Sequence, residues 1–102
     1  MAKFTPTAGE REALRRLFDL AEGHGGGALK ARTLLCSWWN ATELGGFDLA
    51  DLWGFDSNHL VSAITVIKMI AGTPVGTYAD SIEGFEQRMP ALALRRAKEL
   101  EG

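Results

Sequence analysis

Apolar side chains recur every three or four residues in four stretches of this chain, and glycine-containing segments separate the stretches. This spacing puts the apolar residues of each stretch on one face of an α-helix, and such a face has to be buried. The positions are Leu14, Leu17, Phe18 and Ala21; Ala31, Leu34, Leu35 and Trp38; Leu60, Ala63, Ile64, Ile67 and Ala71; and Tyr78, Ile82, Phe85, Met89 and Leu92. The sequence therefore predicts an all-α fold.

Capping patterns place the first two helices. Thr7 and Glu10 fit a capping box, so the first helix is expected to begin at Thr7 and to end at Gly23. A second helix is expected over about 28–40, followed by a turn region over 40–46.

Two matching starts follow. Phe47-Asp48 and Phe55-Asp56 each put an aromatic residue before an aspartate cap, with a leucine at the fourth helical position. They predict one helical turn over 48–53 and a longer helix over about 56–71. That longer helix is apolar nearly all round, which is typical of a central, buried helix. Its β-branched residues make a strand conceivable, but a run of twelve residues favours a helix.

The last stretch begins near Thr77, and its apolar spacing continues in phase across Pro90. It predicts either one helix kinked at the proline or two coaxial pieces. The whole chain, 1–102, is expected to form a single compact bundle of four to five helices around the 56–71 helix, with short flexible ends at about 1–6 and 99–102. With one cysteine, no apolar leader and no apolar run long enough for a bilayer, a cytoplasmic protein is expected.

The net charge of −2 is distributed unevenly. Residues 1–32 carry six basic and four acidic side chains, and residues 68–102 carry five of each. Residues 33–67 contain no lysine or arginine, and their four charged side chains are all acidic. Two of these, Asp48 and Asp56, are explained by helix capping alone, because a carboxylate stabilises a helix start.

The same carboxylates would also suit a basic partner surface. The candidate partner-binding residues are therefore Glu43, Asp48, Asp51 and Asp56, with Arg11 and Arg15 as weaker additions. Three tryptophans, at positions 38, 39 and 53, lie in the same third of the chain. Two are expected in the core and one at least partly exposed, where a tryptophan is suited to binding.

Reactive motifs are incomplete or missing. The run of residues 24–27, His-Gly-Gly-Gly, is similar to an oxyanion-hole string, but no serine has the flanking glycines of a nucleophile elbow. The phosphate-loop pattern is absent, and the glycine-rich run 23–27 before Lys30 and Arg32 is only a weak anion site. Histidine, cysteine and aspartate spacings fit neither zinc nor calcium, and Cys36 is expected to be an inert packed thiol. We expect no enzyme, no metal and no cofactor.

Direct DNA binding is the main alternative. A recognition helix needs Arg, Lys, Asn or Gln side chains, yet the best-placed helix, 56–71, carries only Lys68 as a basic residue. Six other basic residues lie at opposite ends of the chain and are interleaved with acids: Arg11, Arg15, Arg16, Arg95, Arg96 and Lys98. A small helical transcriptional regulator therefore stays open as an alternative, as does a structural or assembly factor of a phage.

Two strings carry a family resemblance: Leu34 to Ala41, with Trp-Trp-Asn-Ala at its end, and Gly45 to Trp53, which begins Gly-Gly-Phe-Asp-Leu. As a pair they resemble the signature of a family of short bacterial and prophage-borne proteins that includes an anti-CRISPR inhibitor of the type I-F surveillance complex. The resemblance implies a small helical, non-enzymatic inhibitor from a mobile element. It would bind the CRISPR effector ribonucleoprotein complex and block its access to target DNA.

Overall fold

The computed structural model describes residues 4–102, and this part of the chain is helical with no strands. The α-helices are α1 (Ala8–Ala21), α2 (Gly26–Leu44), α3 (Ser57–Gly72) and α4 (Arg88–Glu101), and two 3-10 helices span Leu49–Gly54 and Ala79–Ser81. Helix α1 packs against α2 and α3, and α2 packs against α4. The predicted all-α fold is confirmed. Residues 1–3, part of the flexible end expected over 1–6, lie outside the described residues.

Three of the predicted helix starts are confirmed by their hydrogen bonds. Thr7 and Glu10 exchange bonds in a capping box, at 2.8 and 3.1 Å. The Asp48 carboxylate accepts from the Ala50 amide at 2.9 Å at the start of the first 3-10 helix. The Asp56 carboxylate does the same for the amide of the third residue of α3, also at 2.9 Å.

The deepest part of the core belongs to α1. Leu14, Leu17 and Phe18 are fully buried, and the Phe18 ring lies 5.1 Å from the Phe85 ring. Helix α3, the predicted 56–71 helix, is buried on one face only, through residues such as Val66. Its outer face leaves residues 61 and 64 exposed, because α1 is the only α-helix that α3 packs against extensively. The middle place in the bundle thus belongs to α1 and α2.

Helix α2 is longer than predicted and contains a break. Asn40 has φ −167° and ψ 82°, which is outside the helical region. Its side-chain oxygen accepts a hydrogen bond from the Glu43 amide at 3.2 Å, so Asn40 caps a final turn over 41–44. Gly45, with φ 91°, ends that turn. The turn region predicted from residue 40 therefore begins with one more helical turn.

The prediction of a helix from Thr77 to Pro90 and beyond is wrong in its first half. Between Thr77 and Gln87 the chain contains only the short 3-10 helix, and Gly84 adopts a positive φ of 98°. Helix α4 begins at Arg88, so Pro90 lies in its first turn, where the missing amide hydrogen costs no helical bond. At the other end, residues 99–101, where a flexible end was expected, are helical.

Candidate functional site

The segment from Asp48 to Asp56, here called the acidic 3-10 segment, connects α2 to α3 across the first 3-10 helix. Its Trp53 side chain is 89% exposed, and Leu49 is 71% exposed. Phe55 points the other way, is buried, and stacks on Phe47 with 6.5 Å between ring centroids. Phe55 thus anchors the segment to the core, while Trp53 and Leu49 face solvent.

The four acidic candidates have different environments. Asp48 and Asp56 cap helices, and the pKa of Asp56 lies below its ordinary value, chiefly because the backbone amide of His59 donates to it and then because of the His59 side chain. Asp51 is half-buried and Glu43 is exposed. Within residues 4–102 neither of these two carboxylates accepts a hydrogen bond or forms an ion pair. Both are therefore available to a partner.

A basic side chain lies beside the acidic 3-10 segment although none occurs in its sequence. Gly54 faces the side chain of Lys30 so closely that a Cβ at position 54 would overlap the lysine ammonium. A side chain at position 54 would require the flexible end of the Lys30 side chain to move, since the φ of Gly54 is ordinary. Lys30, in the second turn of α2, therefore adds one positive charge beside the acidic 3-10 segment. The negative charge at this place is smaller than the sequence predicts.

Arg11 and Arg15 do not join the acidic candidates. Both lie on α1, whereas the four carboxylates lie between the end of α2 and the start of α3. Arg11 donates to the backbone carbonyl of Glu83, and Arg15 pairs with Glu12 and Asp19. The structure thus assigns these two arginines bonds within the protein, to residues other than the four acidic candidates.

All seven arginines of the chain bond to acidic side chains or backbone carbonyls. Arg88 is typical: it pairs with Asp19 at 2.8 Å and Glu22 at 2.7 Å, and its guanidinium lies over the rings of Phe18 and Phe85. The others are Arg11, Arg15, Arg16, Arg32, Arg95 and Arg96. Arg32, Arg88, Arg95 and Arg96 bond to residues distant in sequence, whereas Arg15 and Arg16 pair within α1. Lysine is left as the cation without such bonds in the described part of the chain.

The remaining sequence candidates have structural roles. Arg32, part of the weak anion site, is only 4% exposed and bonds to the Ala21 carbonyl at 2.6 Å and to Glu99 at 2.8 Å. Burial raises the pKa of the Cys36 thiol to about 11, so it is protonated at neutral pH, as expected for a packed thiol. Among residues 4–102, no three His, Cys, Asp or Glu side chains are grouped to hold a metal, and none of the helices is long and apolar enough to cross a membrane.

The other two tryptophans are half-buried, so Trp53 is the exposed one. Trp38 donates its ring N–H to the Thr77 carbonyl at 3.1 Å. Trp39 meets Tyr78 edge to face, with 6.2 Å between ring centroids and 76° between ring planes. An open cleft of about 360 Å³ is lined by Trp39, Asn40, Tyr78 and Asp80. Sequence reasoning missed this cleft because its two walls come from residues about forty positions apart.

Comparison with known proteins gives one finding about ancestry. No curated protein matches this chain, and no solved structure matches it. Residues 11–97 match the model of the family DUF7673, which is described as a family of unknown function. The match begins inside α1 and ends inside α4, so it covers α2, α3, both 3-10 helices and most of α1 and α4. The chain therefore belongs to the DUF7673 family.

Proposed function

We propose that this protein is a non-enzymatic inhibitor that works in the cytoplasm by binding a basic surface of a type I CRISPR–Cas surveillance complex and blocking target DNA. The observation that carries the proposal is the 89% exposure of Trp53 within a segment whose own charged side chains are all acidic. Tryptophan is among the side chains most enriched at binding hot spots. The choice of CRISPR complex follows the resemblance of the Trp-Trp-Asn-Ala and Gly-Gly-Phe-Asp-Leu strings.

The physical mechanism is competition for a basic surface. Surveillance complexes of this kind hold nucleic acid in positively charged channels. Carboxylates such as Asp51 attract such a surface, and the exposed side chains of Trp53 and Leu49 supply apolar area that becomes buried on binding. With a radius of gyration of 12.8 Å, the protein would cover one junction of the channel and leave the rest open. A net charge of −2 is too small for mimicry of a whole DNA segment.

The test is inhibition of a purified type I-F surveillance complex. Labelled target DNA is titrated with the complex in the presence of the protein, and we expect the fraction of bound DNA to fall. Trp53→Ala should weaken inhibition at least about tenfold, as expected for a hot-spot residue. Because Trp53 is exposed, the variant should unfold at the wild-type temperature. Leu94→Ala, which removes another exposed apolar side chain on α4, is the matched control and should inhibit normally.

Two results would contradict the proposal. Unchanged DNA binding at saturating protein would exclude inhibition of this complex. Full inhibition by Trp53→Ala would mean that another surface binds. The acidic residues need a separate test, since Asp48 also caps a helix. If the double variant Asp48→Ala, Asp51→Ala loses stability and still inhibits fully, these carboxylates serve the fold alone.

A further inference from the structure

We propose that the cleft between Trp39 and Tyr78 binds an alkylated ammonium ion. This cleft is lined by Trp39, Asn40, Tyr78 and Asp80, and none of these residues belongs to the acidic 3-10 segment. The inference does not depend on the proposed function, because it rests on the cleft's own geometry and charge.

The two aromatic rings form a corner. Their planes meet at 76°, so a ligand in the corner can lie against the face of each ring. Aromatic faces carry negative electrostatic potential and attract cations whose centre lies within about 6 Å of the ring centroid. Because the rings also offer apolar contact, they favour a cation with methyl or methylene substituents over a strongly hydrated metal ion.

The charge at the mouth of the cleft has the sign that a cation needs. Asp80 is exposed, and its carboxylate forms no hydrogen bond or ion pair with any of residues 4–102. No lysine, arginine or histidine lines the cleft. The Asn40 side-chain oxygen is already used by the Glu43 amide, which fixes the orientation of the Asn40 side chain.

Both walls are held in place before any ligand arrives. Trp38 ties α2 to the residue before Tyr78 through its 3.1 Å bond to the Thr77 carbonyl. The Tyr78 carbonyl accepts from the backbone amide and from the hydroxyl of Ser81, at 3.0 and 2.7 Å. Ala79, between the two cleft residues of that wall, is buried. A preformed corner loses little freedom on binding, which favours affinity.

The experiment uses the side-chain N–H resonances of the three tryptophans in the ¹⁵N-labelled full-length protein. They are assigned by single Trp→Phe substitutions, and the protein is titrated with tetramethylammonium chloride against sodium chloride at equal ionic strength. We expect the Trp39 resonance to shift along a saturating curve with a dissociation constant on the order of 10 mM, while the Trp53 resonance stays unchanged. Sodium chloride should leave the Trp39 resonance in place.

Variants separate the two attractive groups. Tyr78→Leu removes one wall and should weaken binding about fivefold or more, whereas Tyr78→Phe keeps the ring and should bind as the wild type does. Asp80→Asn should weaken binding about twofold to threefold, since one carboxylate in water contributes a modest attraction. Glu101→Gln removes an exposed charge elsewhere and is the matched control.

The source of the ammonium group is distinguished by a second probe. A short peptide containing trimethyllysine that binds more tightly than tetramethylammonium would indicate a protein side chain as the ligand, and equal or weaker binding would indicate a free small cation. Either result supports the site. A linear shift, an equal shift in sodium chloride, or wild-type affinity in folded Tyr78→Leu would overturn it, and none of these results bears on inhibition through Trp53.

Discussion

The buried side chain of Arg32 joins three helices through its hydrogen bonds. From α2 it donates to the carbonyl of Ala21 at the end of α1 and binds both carboxylate oxygens of Glu99 on α4, at 3.0 and 2.8 Å. A bidentate pair of this kind fixes both the distance and the orientation of the elements it joins. In the sequence, Arg32 follows a glycine-rich run, which suggests an anion site. Its actual partner, Glu99, lies 67 residues away, and no local sequence pattern reveals such a distant pair.

We expect Arg32→Met to lower the free energy of unfolding by about 2 kcal/mol. Methionine fills a similar volume, but the Ala21 carbonyl and the Glu99 carboxylate lose their charged donor. Urea unfolding followed by circular dichroism measures the change. Arg15→Met is the matched control, since its pairs with Glu12 and Asp19 are exposed, and it should change stability much less. Equal losses in the two variants would show that burial of Arg32 is irrelevant.

The pH dependence of unfolding gives a second readout of the same pair. Burial raises the pKa of Glu99, but the hydrogen bonds and charges of Arg32 and Arg96 outweigh it and hold the pKa below its ordinary value of 4.5. A carboxyl whose pKa is lower in the folded state adds stability above pH 4.5, and that stability is lost as the pH falls through the folded value. Wild type should therefore lose more stability than Arg32→Met between about pH 5 and pH 3.

At the scale of elements, the three helix starts with a side-chain cap could be predicted, whereas the start of α4 and the helix lengths could not. The side chains of Thr7, Asp48 and Asp56 each accept from a backbone amide two or three residues later, so the local sequence is sufficient to identify these caps. The stretch after Thr77 was predicted as helix from the spacing of its apolar residues. Ile82 and Phe85 are indeed buried, yet turns with a positive φ at Gly84 place them there. The spacing of the apolar residues therefore predicts which side chains are buried, but the backbone conformation between them depends on tertiary packing.

Helix α3 offers a direct test of which of its apolar faces stabilises the fold. Val66 is fully buried and Val61 is 66% exposed on the same helix. We expect Val66→Ala to lower the free energy of unfolding by about 2 kcal/mol, because two buried methyl groups are removed and a cavity remains. Val61→Ala should change it by less than about 0.5 kcal/mol. Chemical denaturation measures both variants, and similar losses in the two would mean that α3 is buried all round, as its composition alone suggests.

At the scale of the whole molecule, the sequence shows where the charged residues lie along the chain, but it does not show which groups they meet in the folded protein. Counting residues gave a segment free of lysine and arginine, yet folding brings Lys30 against Gly54 in that segment. The cleft of Trp39 and Tyr78 depends likewise on two elements meeting. Only the tertiary structure shows that the arginines, which make the ends of the chain look suited to DNA, bond to carbonyls and carboxylates instead.

This use of the arginines predicts how the protein responds to DNA. Glu12, Asp19 and Glu22 neutralise the charges of Arg15, Arg16 and Arg88, so wild type should bind double-stranded DNA no more tightly than about 10⁻⁴ M at physiological salt. The triple variant Glu12→Gln, Asp19→Asn, Glu22→Gln frees these arginines and changes the net charge from −2 to +1. Fluorescence anisotropy with labelled duplex DNA should show at least about tenfold tighter binding for the variant, with a steeper salt dependence. Micromolar binding by wild type with a steep salt dependence would instead favour the DNA-binding regulator, because it would show that the arginines exchange their internal partners for phosphate.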